Sequence, residues 1–197
     1  MISTCLGRAT LVAAVCGMAS WSAHADVPPP QDVPYQGTLQ VSVDATDVAR
    51  RIFQVREVVP AQPGPLTLLY PAWLPGHHSP VGPIDKVAGL VITANGQTLP
   101  WKRDPLNVNA FHVDVPQGAS SVNVAFQFLS PQNTREGRVV MTPEIINLQW
   151  SSNTLYPAGY YASRITTQAS VKFPAGWQFG SALEEASREG DTVHFKP

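Results

Sequence analysis

Cysteine is nearly missing from this chain: Cys5 and Cys16 are its only two, both close to the N-terminus. The remainder can hold no disulfide and no zinc site of the Cys-containing kinds. Charge is scarce and balanced, 13 Lys and Arg against 14 Asp and Glu, for a net of −1. That excludes the basic footprint with which proteins hold nucleic acid or an anionic membrane. No apolar run is long enough for a permanent spanning helix. There is no fixed-period repeat. His-Glu-x-x-His, paired histidines at helical spacing, Gly-x-Ser-x-Gly and a Gly-rich phosphate loop are all missing, so no familiar reactive centre can be assembled.

What is present begins with an address. Arg8 gives a positive start, Ala9 to Ala19 a short apolar core, and Ala23-His24-Ala25 a small-x-small cleavage site. Residues 1–25 therefore read as a secretory signal, and the mature protein as exported, periplasmic or secreted. Val15 precedes Cys16 where a lipoprotein signal needs a small residue, so no lipid anchor is expected. After cleavage no membrane partner is expected. Removal of Arg8 makes the mature chain one charge more acidic. Without disulfides, an exported domain of this length must rely on its apolar core.

Residues 26–34 carry four prolines and read as an extended leader. From residue 35 onward the pattern is that of strands. Leu39, Val41 and Val43 alternate with Gln40, Ser42 and Asp44; Ile52 to Val59 follows, with Phe53 and Val55 on its apolar side and Arg56 and Glu57 near its end. Leu66 to Tyr70 and Val87 to Ala94 come next. Asn95-Gly96 then marks a hairpin whose return strand, Thr98 to Trp101, is shortened by Pro100. Phe111 to Val115 and Val122 to Phe128 alternate most cleanly. Val139 to Met141, Ile145 to Trp150, Gln168 to Phe173 and Thr192 to Phe195 complete the set. Roughly nine or ten short strands punctuated by Pro, Gly and Asn predict an all-β, antiparallel β-sandwich over residues 35–197. Only Ala182 to Arg188 has the look of a helical turn.

One corner stands out. Tyr70-Pro71-Ala72-Trp73-Leu74-Pro75-Gly76-His77-His78 places a tryptophan between two prolines and ends in a glycine. Each proline fixes φ and removes a ladder donor, so this is a stiff loop presenting a large apolar plate. Pro71, Trp73, Pro75, Gly76, His77 and His78 are the interaction candidates.

Catalytic candidates fare poorly. His77 and His78 beside Asp85 suggest a metal clip, yet adjacent loop residues rarely aim both rings at one ion. His112 and Asp114 share the polar face of one strand and read as a solvated pair with no nucleophile. Gly180-Ser181 lacks the rest of a nucleophile elbow. Glu184, Glu185, Glu189 and Asp191 around Arg188 read as a solvated face. Trp101, Trp150 and Trp177 read as core or rim packing; a sugar-stacking platform would need several exposed together. No catalytic, cofactor-binding or metal residue is assigned.

Pro71-x-Trp73-x-Pro75-Gly76 resembles the Pro-x-Trp-x-Pro-Gly element of the N-terminal domain in the glycyl aminopeptidase family, metallopeptidase family sixty-one. The likeness continues through Gly82-Pro-Ile84, Ala94-Asn-Gly-Gln-Thr-Leu-Pro-Trp-Lys-Arg-Asp-Pro105, Ala110-Phe-His-Val113, Leu155-Tyr-Pro-Ala-Gly159 and Pro174-Ala-Gly-Trp177. The resemblance implies a β-rich domain ahead of a thermolysin-like zinc domain, often followed by a PDZ domain. Zinc would there activate water for attack on a peptide carbonyl. No zinc ligand carries over, because no residue here matches those positions. Thr192 to Lys196 reads as a strand that closes nothing, so a catalytic domain in cis is expected beyond this chain. The expected role is thus a non-catalytic domain that packs on the catalytic one and helps wall its cleft. The alternative is a free-standing module binding glycan or an envelope protein through exposed Trp73, Trp101 and Trp177.

Overall fold

The computed structural model describes residues 27–197, so the expected signal lies outside the described residues. Twelve strands are seen: β1 Leu39–Asp47, β2 Ile52–Pro60, β3 Gly64–Leu69, β4 Val87–Ala94, β5 Gln97–Leu99, β6 Trp101–Arg103, β7 Ala110–Val115, β8 Ser121–Leu129, β9 Tyr156–Pro157, β10 Thr167–Lys172, β11 Glu185–Glu189 and β12 Thr192–Phe195. They form an eight-stranded sheet, β11-β12-β10-β1-β2-β8-β4-β5, and a four-stranded sheet, β6-β7-β3-β9. The expected all-β sandwich is what forms. All pairings are antiparallel but one. β1 runs parallel to β10, with Leu39 opposite Thr167 and Asp44 opposite Lys172. Such a pair needs a long crossover, and here all four strands of the small sheet and four of the large one intervene.

Alternation sets the layers. Val41, Val43, Phe53, Val55, Val124 and Phe126 point inward from the large sheet, and Leu68, Phe111 and Val113 from the small one. Each such side chain contributes about 1.5–3 kcal/mol when fully buried. Asn95 (φ 49°) and Gly96 (φ 75°) make the β4–β5 turn, both left-handed as a two-residue hairpin requires.

Four expectations need correction. The return strand after that turn does not run through to Trp101. Pro100 offers no N–H, the ladder stops at Leu99, and Trp101 restarts as β6 in the other sheet. Ala182 to Arg188 is not helical, because the segment carries no apolar stripe for a helix to bury. It leads instead into β11, which pairs with β12 around Gly190. Val139 to Met141 and Ile145 to Trp150 make only a bridge, Met141 to Ile146, and a 3-10 turn at Trp150–Ser152, with Pro143 breaking the run. Finally, Thr192 to Phe195 is paired on both sides, between β10 and β11. The described part of the leader is stitched down: Gln31 bridges Tyr160, and just after it Tyr35 N–H donates to the Arg164 carbonyl at 2.8 Å.

Candidate functional site

The Trp73 corner is a hydrogen-bonded finger. Its tip is a type II turn: Pro75 supplies the fixed φ, Gly76 the positive one (81°), and His77 N–H donates to the Leu74 carbonyl at 3.2 Å. Trp73 bridges Pro80 across the finger, and Gly82 N–H donates to the Ala72 carbonyl at 2.9 Å. The base closes so tightly that a Cβ on Gly82 would stand 1.8 Å from the Pro71 carbonyl oxygen. Held in this way, Trp73 is 66% exposed.

Behind the finger lies a groove of about 790 Å³. Tyr70, Trp73, Trp150, Tyr156 and Ile165 give it apolar walls, and no charged side chain lines it. Asn107 and Asn109 form one rim, and between and beside them Leu106 (84% exposed) and Val108 stand out into solvent.

That rim is locked from beneath. One Asp104 oxygen accepts the backbone N–H groups of Leu106 and Asn107, both at 2.8 Å. The other lies 2.9 Å from His112 Nε2, and His112 Nδ1 lies 3.0 Å from Thr67 Oγ1. The carboxylate can only accept, so Nε2 donates to it, and Nδ1 completes the row by sharing a hydrogen bond with the Thr67 hydroxyl. His112 first, and then the two backbone donors, draw the Asp104 carboxyl down from 3.8 to about 2. Hydroxyl, imidazole and carboxylate in a row have the order of a hydrolase triad. Thr67, however, sits inside a ladder, opposite His112 on β7 and with its carbonyl taken by Ala158 N–H. None of these three residues lines the groove, so no acyl group can reach the hydroxyl from it. The arrangement clamps the 104–109 loop.

The sequence candidates are now placed. Pro71, Trp73 and Pro75 line the groove, whereas His77 and His78 are exposed and do not, His77 bordering instead a second cavity. Asp85 pairs with Lys86 at 3.0 Å, and the described residues contain no cluster of three or more potential metal ligands. The His112–Asp114 pair does not form, because Asp104 reaches the imidazole first and Asp114 stays exposed. Trp101 donates to the Leu90 carbonyl at 3.1 Å and meets Phe111 edge-on, Trp150 packs edge-on against Phe195, and Trp177 is half-buried. Trp101 lines neither the groove nor the cavity that Trp150 and Trp177 border together, so the three do not form one platform. Arg188 pairs with Glu185 and Lys196 with Glu184 on an exposed face, as expected.

Two buried polar anchors went unrecognised in the sequence. Tyr70 donates its hydroxyl to the Ser152 carbonyl at 3.1 Å. Glu57, 2% exposed, accepts the Leu155 N–H at 2.8 Å. Its parity with Phe53, Val55 and Val59 was the available signal, since residues two apart on a strand share a face.

The described residues thus form a two-sheet β domain with an uncharged groove behind a hydrogen-bonded finger, and they contain no cluster of three or more potential metal ligands. Residues 40–197 match the family described as the peptidase M61 N-terminal domain, and the chain belongs to that family. Among solved structures it is similar to an aminopeptidase N family protein from Idiomarina loihiensis, with a TM-score of 0.60 and 15% identity over 80% of this chain. The match covers only 27% of that protein's chain, and at this identity it shows the fold alone. An M1 zinc metallopeptidase from Deinococcus radiodurans aligns at 14% identity and a TM-score of 0.37, over 85% of this chain and 39% of its own. No curated protein matches the chain in sequence.

Proposed function

We propose that this is the exported, non-catalytic β domain of an aminopeptidase-type zinc metallopeptidase. It packs on a catalytic domain in cis and helps wall that domain's cleft. The observation that carries this reading is the charge-free groove beside an exposed, rigidly held Trp73. A locked aromatic plate at the mouth of an uncharged groove is what a packed interface core requires, since little ordering entropy is lost on docking. Zinc belongs to the catalytic partner in this reading, and the described residues here offer no ligand set for it. The glycan-binding alternative loses support, because its three tryptophans do not share a surface.

The reading frame beyond the codon for Pro197 tests this directly. An in-frame His-Glu-x-x-His is expected. A stop codon there, or zinc-dependent hydrolysis of Gly- or Ala-anilides by the chain alone, would contradict the proposal.

A further inference from the structure

We propose that Glu57 is a proton-operated latch, which fastens the segment from Gln149 to Pro157 across the sandwich while protonated and releases it when ionised. This segment is a strap. Trp150, Ser151, Thr154 and Tyr156 give the Trp73 groove one of its walls, and Gln149 and Ser152 border a second cavity of about 750 Å³. Little regular structure holds it: a 3-10 turn, and the two residues of β9 paired with Leu68 and Leu69. Its polar fastenings to the strands are the Tyr70 hydroxyl on the Ser152 carbonyl and Glu57 on the Leu155 N–H.

Glu57 lies on the core side of β2, opposite Val41 on β1 and Val124 on β8. Its Oε2 is buried without a hydrogen-bond partner, and so is the Asn153 Oδ1 on the strap. The strands paired with it supply no counter-charge, and the charged groups beside the strap, Asp85, Lys86, Glu136 and Arg138, line the second cavity that Ser152 borders. On β1 the ionisable residues are Asp44 and Asp47, themselves acids; on β2, Arg56 has the opposite parity and is exposed; β8 has none. The strap offers Tyr156, and the end of β3 offers Tyr70, whose hydroxyl is already committed to Ser152. A carboxylate here would be an unpaired buried charge with one N–H to stabilise it, a costly state. The neutral acid keeps that N–H bond and adds a donor where Glu57 Oε2 and the strap's Asn153 Oδ1 are both unpartnered acceptors. Burial accordingly holds the carboxyl well above its ordinary value, against the smaller opposing pull of the Leu155 N–H. When the proton leaves, the charge must reach water, and the strap is the least fastened wall in its way. The link from latch to groove rests on the docking reading above; the latch does not.

The test follows the Leu155 amide resonance and the exchange protection of amides 153–157 from about pH 5 to about pH 10 in the intact chain, a range that brackets documented buried carboxyls. In wild type the resonance should titrate with a midpoint well above that of an exposed glutamate, and protection should fall about tenfold or more through it. In Glu57→Gln both should stay flat. A midpoint at the ordinary glutamate value, no titration over the whole range, or the same loss of protection in Glu57→Gln would overturn the latch. Should Glu57→Gln not fold, Glu57→Met serves as the flat reference. Trp73→Ala should leave the titration unmoved, which separates a failed docking reading from a failed latch.

Discussion

At the scale of single residues, the finger depends on what two positions leave out. Gly82 is needed for space, since any Cβ would strike the Pro71 carbonyl. Gly82→Ala should therefore lower stability by about 1–3 kcal/mol, the usual range for forced overpacking, as read by urea unfolding. Trp73→Ala should behave oppositely. Its ring is mostly in water, so stability should change by less than about 0.5 kcal/mol, while association with a catalytic domain should weaken by about 2 kcal/mol or more if the ring is the anchor. The two buried acids pull stability in opposite directions with pH. Glu57 has a folded value raised above its unfolded 4.5, so its contribution is complete below 4.5 and is lost as pH climbs through the raised value. Wild type should thus lose melting temperature relative to Glu57→Gln as the medium becomes neutral and then alkaline. Asp104 is the reverse case. Its folded value is depressed to about 2 from 3.8, so its contribution is complete above 3.8 and disappears as pH falls towards 2.

At the scale of elements, the strands were legible because their side chains alternate. β4 and β12 fall where Val87 to Ala94 and Thr192 to Phe195 place them, and the Asn95-Gly96 turn reverses the chain as its two tolerant residues allow. Segments whose fate is set by tertiary contact were not legible. The polar run at 185–189 becomes a strand only because β12 offers it an open edge, a fact absent from its own composition. The stretch from Val139 to Trp150 has apolar residues enough for a strand, but Pro143 interrupts it and leaves a single bridge, Met141 to Ile146, before the 3-10 turn. The parallel β1–β10 pair joins residues more than a hundred positions apart, which no local pattern can announce. The finger was visible as a stiff corner. Its groove was not, since Asn107, Trp150 and Ile165 reach it from three distant segments. The loop clamp yields its own prediction: Asp104→Asn should raise hydrogen exchange at Leu106 and Asn107, whose N–H groups lose a charged acceptor, and leave β8 protected.

At the scale of the molecule, a large sheet of eight strands faces a small one of four, and the irregular segments close the difference. The finger and the clamped 104–109 loop sit where those segments meet the small sheet. They form a rigid, uncharged face on a domain whose described residues hold no metal cluster. The chain belongs to the peptidase M61 N-terminal family, and the groove is the feature on which the proposed docking role rests. The most direct measurement compares hydrogen exchange in this chain alone with the same chain joined to a family catalytic unit carrying zinc. Protection should rise at the amides of 72–82 and 104–109 and stay unchanged on the outer face of the large sheet. Unchanged exchange at the finger, with protection appearing on that outer face instead, would contradict the account.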